Sequence, residues 1–153
     1  METQIARYNN NFKEAFYTIN MEWLNEFFFS TTEDEKILRD PEKILSDGGE
    51  IFFAVLDGLP VGTCAMLKHG DDEFELIKMG VLKDYRGKKL GEALIEAALD
   101  FARDRKAKKV ILETADRLKT ARALYEKYGF VKTTNEYIHP LFGRVIFKME
   151  LTL

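Results

Sequence analysis

The chain has 153 residues, 46% hydrophobic and 32% charged, with a net charge of −3, a composition that suits one globular domain over residues 1–153 with a sizeable core. The acidic balance lacks the basic footprint of nucleic-acid binding, no apolar run is long enough to span a membrane, and the N-terminus lacks the basic-then-apolar order of a signal peptide. Cys64 is the single cysteine, so it reads as a buried thiol, and the expected location is cytoplasmic with no membrane or nucleic-acid partner.

Residues 2–8 alternate loosely and predict a first strand. Phe12, Phe16, Ile19, Trp23 and Phe27 fall on one face of a helix expected over Phe12–Phe29, with Trp23 as a core anchor. Phe27, Phe28 and Phe29 cannot all face one core, so one of them is expected to line a cleft or a subunit contact. Thr32 followed by Glu35 fits a capping box and predicts a helix over 32–39, which Pro41 ends before a further turn through Leu45. The runs 51–56 and 61–67 flank Asp57-Gly58-Leu59-Pro60 and read as a hairpin. Gly70-Asp71-Asp72 then turns the chain into a strand over 73–82.

A helix over 89–106 follows, with Leu90, Ala93, Leu94, Ala97, Ala98 and Phe101 on its apolar face. After it come a strand at 110–113, a helix over Leu118–Tyr128 stopped by Gly129, and strands over Phe130–Thr134 and Arg144–Leu151 around a loop. The passage from 73–82 through a helix to 110–113 predicts a parallel crossover inside a mostly antiparallel sheet. Ligands often bind at such a change of direction.

The stretch from Glu75 to Glu92, ELIKMGVLKDYRGKKLGE, joins that strand to its helix. The positive end of a helix dipole disfavours cations, yet Arg86, Lys88 and Lys89 crowd this one beside Gly87 and Gly91. Either the corner is a solvated turn, or an anion sits there on free backbone N–H groups. Gly80, inside the strand, marks a bulge or a close approach of another backbone.

Two segments, KMGVLKDYRGKKLGEALIEAAL and, after VILET, ARALYEKYGF, carry a resemblance to the GNAT superfamily of acyl-CoA-dependent N-acetyltransferases, extending over about residues 2–151. The resemblance implies an α/β fold: a mixed, mostly antiparallel central sheet with a parallel junction and helices on both faces. It implies acetyl-CoA as cosubstrate and no metal. Arg86, Gly87, Lys88, Lys89, Leu90 and Gly91 would form the loop that cradles the cofactor pyrophosphate, and Met79, Gly80 and Val81 would offer strand-edge backbone to the pantetheine arm. Tyr125 would stand beside the thioester sulfur. Lys89 replaces the family's usual middle glycine, and Leu118 stands where some relatives have an asparagine that contacts the cofactor.

The implied reaction is transfer of acetyl from acetyl-CoA to a primary amine by direct attack on the thioester. An amine with a pKa of ~10.4 is unprotonated in only about one molecule in two thousand at pH 7, so the site gains from a base. Glu75, four residues before Met79 on the same strand face, and Glu113, at the end of the neighbouring strand, match positions used as bases in different relatives; Glu113 is the expected base, because it abuts the gap where the two strands should separate, with Glu75 in reserve. His69 and His139 fall in predicted loops without metal-ligand partners. A catalytically silent acyl-CoA-binding sensor or partner protein is the alternative function, and a nucleotide-binding α/β protein is a third, although Gly87 and Gly91 match neither nucleotide-loop pattern. The expected acceptor is a small-molecule amine or a peptide, and the expected state a monomer or homodimer.

Overall fold

The computed structural model describes residues 3–153; Glu2, where the expected first strand begins, lies outside them. The strands are β1 (Thr3–Arg7), β2 (Glu50–Leu56), β3 (Leu59–His69), β4 (Glu73–Val81), β5 (Lys109–Thr114), β6 (Val131–Lys132), β7 (Tyr137–Ile138) and β8 (Val145–Thr152). The helices are α1 (Lys13–Phe27), entered through a single 3-10 turn, α2 (Thr32–Leu38), α3 (Pro41–Ser46), α4 (Leu90–Asp104) and α5 (Lys119–Lys127). The sheet runs β1-β2-β3-β4-β5-β8-β6, with β7 also pairing β8. Each pairing is antiparallel except β4–β5. This is the mixed sheet with one parallel junction that the sequence predicts. Among the described residues no helix is long and apolar enough to cross a membrane.

Local chemistry moves some expected boundaries. The capping box uses Thr31 and Asp34 rather than Thr32 and Glu35: the Thr31 hydroxyl accepts from the Asp34 N–H, and the Asp34 carboxylate accepts from the Thr31 N–H. An aspartate in the third helical position reaches back as a glutamate would. The hairpin turn is Asp57-Gly58 alone, with φ of 51° and 81°, the two left-handed residues of a tight turn, so Leu59 and Pro60 belong to β3. The two-residue β7 was expected as loop, because it exists only through its pairing with β8.

Two apolar clusters cover the two sheet faces. One joins α4 and α5 to the sheet through Leu94, Ala98, Phe101 and Tyr125 with Phe74, Leu76, Val110 and Leu112. The other joins α1–α3 to the opposite face through Phe16, Leu24, Leu38 and Ile44 with Ile51, Phe53 and Ala65. Alternation along each strand therefore assigns its even and odd residues to different helical layers.

That alternation breaks once in β4. Opposite Thr63 and Ala65 of β3 stand Gly80 and Ile77, so β4 carries an extra residue, and Lys78 takes φ of 51° there. The bulge lies at Lys78 rather than at Gly80. It also reverses parity: Ile77 packs with the α1 cluster, whereas Met79 packs with the α4 cluster. Glu75 and Met79, expected on one strand face, thus point to opposite sides. Gly80 faces α1, where a Cβ would lie 3.3 Å from Trp23 Cβ, so its lack of a side chain admits the indole.

The bulged residue is anchored by a buried carboxylate. Asp34 is fully buried; Lys78 Nζ donates to it at 2.7 Å, and the Arg144 guanidinium reaches it from the start of β8. Burial alone pushes the carboxyl pKa up, but the hydrogen bonds from Arg144 and Lys78 outweigh it and bring the value from 3.8 to about 2. The group is depressed in the folded state, so its contribution is present above the ordinary carboxylate pKa and is lost as pH falls through the folded one. Asp34→Asn should cost ~3–5 kcal/mol in urea unfolding at neutral pH, because it strands two buried cations. The gap to wild type should close as pH falls from 3.8 toward about 2; a pH-independent gap would remove Asp34 from the acid transition.

Candidate active site

β4 and β5 pair over four residues, Glu73–Leu76 with Lys109–Leu112, and then separate. Beyond Leu76 the β5-facing edge of β4 has no strand partner among the described residues. Backbone polar groups there need other partners, and two cavities open along it, one on each side of the sheet.

The larger cavity, about 670 Å³, runs from Met79, Gly80 and Val81 past Arg86, Gly87, Lys89, Leu90 and Gly91 to α5. α4 begins at its wall without a side-chain cap, so the first N–H groups of the helix are open to a ligand. Gly87 (φ 80°) and Lys89 (φ 61°) both occupy the left-handed region. That conformation is where glycine costs least, which accounts physically for a glycine preference at the position that Lys89 fills. Arg86 turns away from the loop: Nε donates to the Val81 carbonyl at 3.1 Å, Nη1 donates to Glu26 Oε2 at 3.0 Å, and Nη2 lies 2.9 Å from Glu26 Oε1. The Arg86 side chain therefore braces α1 against the loop, and the loop's backbone with Lys89 faces the cavity. Arg117, Lys119 and Lys127 add positive charge along the far wall. The sequence reading missed these three, since only the docking of α5 brings them opposite the loop. Leu118 lines both cavities through an apolar side chain.

The smaller cavity, about 320 Å³, lies under α1 and holds both candidate bases, Glu75 and Glu113, with Lys78, His139 and Arg144. Glu75 pairs in register with Ile111, and Glu113 lies two residues further along β5, so the two carboxylates share one face. Glu113 is occupied: the Tyr137 hydroxyl donates to it, and His139 Nε2 lies 3.4 Å away. Glu75 Oε1 meets His69 Nε2 at 2.7 Å, whereas its Oε2 has no hydrogen-bond partner among the described residues. Burial raises the Glu75 pKa, the His69 hydrogen bond opposes that, and the Glu113 charge adds to it. His69 is the last residue of β3 and not a loop residue, whereas His139 lies in the loop between β7 and β8 as expected and lines the cavity. Among the described residues no group of three or more His, Cys, Asp and Glu could hold a metal ion.

Trp23, Met79, Leu118, Ala121 and Tyr125 line both cavities. Trp23 is only half-buried and forms part of this partition instead of anchoring the core. The three phenylalanines that end α1 diverge: Phe27 lines the larger cavity, Phe28 the smaller, and Phe29 is 91% exposed. Tyr125 rises from the α4–α5 side to the gap between the parted strands. Its ring packs edge-on against Phe130, with centroids 6.0 Å apart. Its hydroxyl has no hydrogen-bond partner among the described residues, and burial pushes its pKa up. The Cys64 thiol is fully buried, 3.7 Å from the Leu94 carbonyl, and does not line either cavity.

Residues 14–130 match the profile of the acetyltransferase (GNAT) family. The chain is 36% identical over 110 residues to the Xenopus tropicalis protein named Probable N-acetyltransferase camello, across 69% of this chain and 50% of that protein. It is 35% identical over 96 residues to the N-acetylaspartate synthetase of Mus musculus, across 61% and 32%. The chain thus spans half or less of the length of these curated relatives. An acetyltransferase from Streptococcus agalactiae superposes with a TM-score of 0.86 at 23% identity, covering 99% of this chain and 98% of that one. A Salmonella typhimurium protein solved with its cofactor acetyl-CoA gives 0.80 at 19%, covering 99% and 94%. The family profile covers well over half of the residues, and the chain belongs to the acetyltransferase (GNAT) family.

Proposed function

We propose that this chain is an acetyl-CoA-dependent N-acetyltransferase domain, over residues 1–153, that transfers acetyl directly to a primary amine. The observation that carries the reading is Tyr125, which lines both cavities and whose hydroxyl has no hydrogen-bond partner among the described residues. One cavity has the open helix start and basic wall that suit a pyrophosphate, and the other has the carboxylates that suit an amine. The family membership and a structural neighbour that binds acetyl-CoA support the cofactor.

In the proposed reaction the cofactor phosphates lie on the backbone N–H groups from Gly87 to Gly91, with Lys88 and Lys89 adding charge. The pantetheine arm follows the open edge of Met79, Gly80 and Val81. Glu75 takes the proton from the acceptor ammonium, because its Oε2 is free and burial raises its pKa toward the working range of a base. His69, exposed beside it, offers that proton a route to water. Glu113, held by Tyr137 and His139, keeps a second negative charge near the ammonium. The neutral amine attacks the thioester carbonyl, and the bond to sulfur breaks with the electron pair leaving on sulfur. Tyr125 donates a hydrogen bond to that sulfur. A buried phenol is a weaker acid than a free one, so it stabilises developing thiolate without surrendering its proton early. Cys64 is inert by burial, which supports direct attack over an acyl-enzyme.

Three measurements test this. Calorimetry should give micromolar-range binding of acetyl-CoA, weakened ~10-fold or more in a Lys88→Ala, Lys89→Ala double variant; unchanged affinity would move the phosphates elsewhere. Tyr125→Phe keeps the ring and its packing and should lower turnover ~10–10³-fold with little change in acetyl-CoA affinity, whereas full activity would return Tyr125 to the core. Wild-type kcat/KM should fall as acid protonates Glu75. Glu75→Gln should lose ~10²-fold at neutral pH and recover as pH rises toward the amine pKa, and a wild-type pH profile in that variant would exclude Glu75 as the base.

A further inference from the structure

We infer that the acceptor is a free amino acid with an apolar side chain, its carboxylate held by Lys78 and Arg144; this rests on the acetyltransfer proposed above. The two cations line the smaller cavity and share one carboxylate, that of Asp34. Their side chains are 10% and 14% exposed, and that of Asp34 is 0% exposed, so the trio carries a net positive charge out of water. Buried charges without a counterion are costly, and this excess borders an open cavity.

Donor accounting points the same way. A lysine ammonium has three N–H groups; Lys78 gives one to Asp34, and its Nζ lies 4.8 Å from the centre of the Phe142 ring. Arg144 gives its terminal nitrogens to Asp34 and the Phe29 carbonyl, while its Nε is buried without a partner. Buried donors left unspent call for a missing acceptor group, and a carboxylate matches ammonium and guanidinium alike.

The opposite charge stands on the same strand. Glu75 precedes Lys78 in β4, and Glu113 shares its face. The cavity therefore has a negative end, where an ammonium loses its proton, and a positive end, where an anion stays bound. A zwitterion satisfies both, and a simple alkylamine satisfies one. Most of the rest of the wall is apolar, Leu24, Phe28, Ile37, Leu67 and Ile146 among it, with Asn20 and Thr114 the uncharged polar exceptions, which favours an apolar side chain over a second charged group. The volume of about 320 Å³ suits a single small molecule.

The test is CoA release with acetyl-CoA and three leucine-shaped acceptors, L-leucine, L-leucinamide and 3-methylbutylamine, alongside L-aspartate, with rates normalised to unprotonated amine. Leucine should exceed both neutral analogues ~10–100-fold in kcat/KM, mainly through KM. In Lys78→Met and Arg144→Gln that ratio should fall toward one, with acetyl-CoA affinity by calorimetry reporting that each variant is folded. The wild-type comparison stands even if both variants misfold. Turnover of all three acceptors without preference for the acid overturns the carboxylate site and leaves the acetyltransfer standing. L-aspartate outperforming leucine overturns the apolar assignment. No release with any amine, from a protein that binds acetyl-CoA, overturns the acetyltransfer and this inference together.

Discussion

The separation of β4 from β5 is the constraint on which the rest of the site depends. Parallel pairing ends at Leu76 and Leu112; Lys78, Met79 and Glu113 lie just beyond that point, and Glu75 one residue before it. The sheet would otherwise be a continuous barrier between two helical layers. Where it opens, Tyr125 from the α4–α5 layer and Trp23 from the α1 layer line both cavities, so the cavity with the carboxylates and the cleft beside α4 share a wall. The bulge at Lys78 supports this opening by twisting the β4 backbone and aiming Met79 at one layer while Lys78 reaches into the other.

Charge is distributed against the average. The chain is acidic overall, yet the larger cavity is rimmed by Arg86, Lys89, Arg117, Lys119 and Lys127 against Glu92. Several of these cations are partly neutralised by partners, such as Arg86 by Glu26 and Lys127 by Glu92. The backbone at the start of α4 therefore contributes the fixed part of the positive field, and the side chains tune it. In the smaller cavity, Glu75 and Lys78 set opposite charges three residues apart on β4, where reduced solvent access makes each charge count for more than it would at the surface.

Features that depend on neighbouring residues were legible in the sequence. The apolar face of α4 and the hairpin between β2 and β3 follow from periodicity and turn chemistry, and the crossover follows from their order. The paired motifs around Arg86 and Tyr125 suggested the family before any coordinates did. Features that depend on register were hidden. No local pattern announces that Lys78, and not Gly80, carries the bulge, and a single extra residue was enough to invalidate the assumed parity of Glu75 and Met79. The pairing of His69 with Glu75 needs the β3–β4 register, and the approach of Arg117 and Lys119 to the phosphate-loop candidate needs α5 in place. Asp34 stands between two other acids, Glu33 and Glu35, and nothing near it in the sequence marks it for burial, because its partners lie far along the chain.

That distance has a kinetic consequence. Asp34 and Arg144 are 110 residues apart, and Asp34 and Lys78 are 44 apart. Contacts of such separation close large loops and form late, after local helices and hairpins have already lowered the entropy of the chain. The smaller cavity is thus incomplete until β8 has docked beside β5, although the loop and helix start that border the larger one are assembled from a short contiguous stretch. A chain emerging in order would own the proposed phosphate cradle well before it owned the proposed place for an amine.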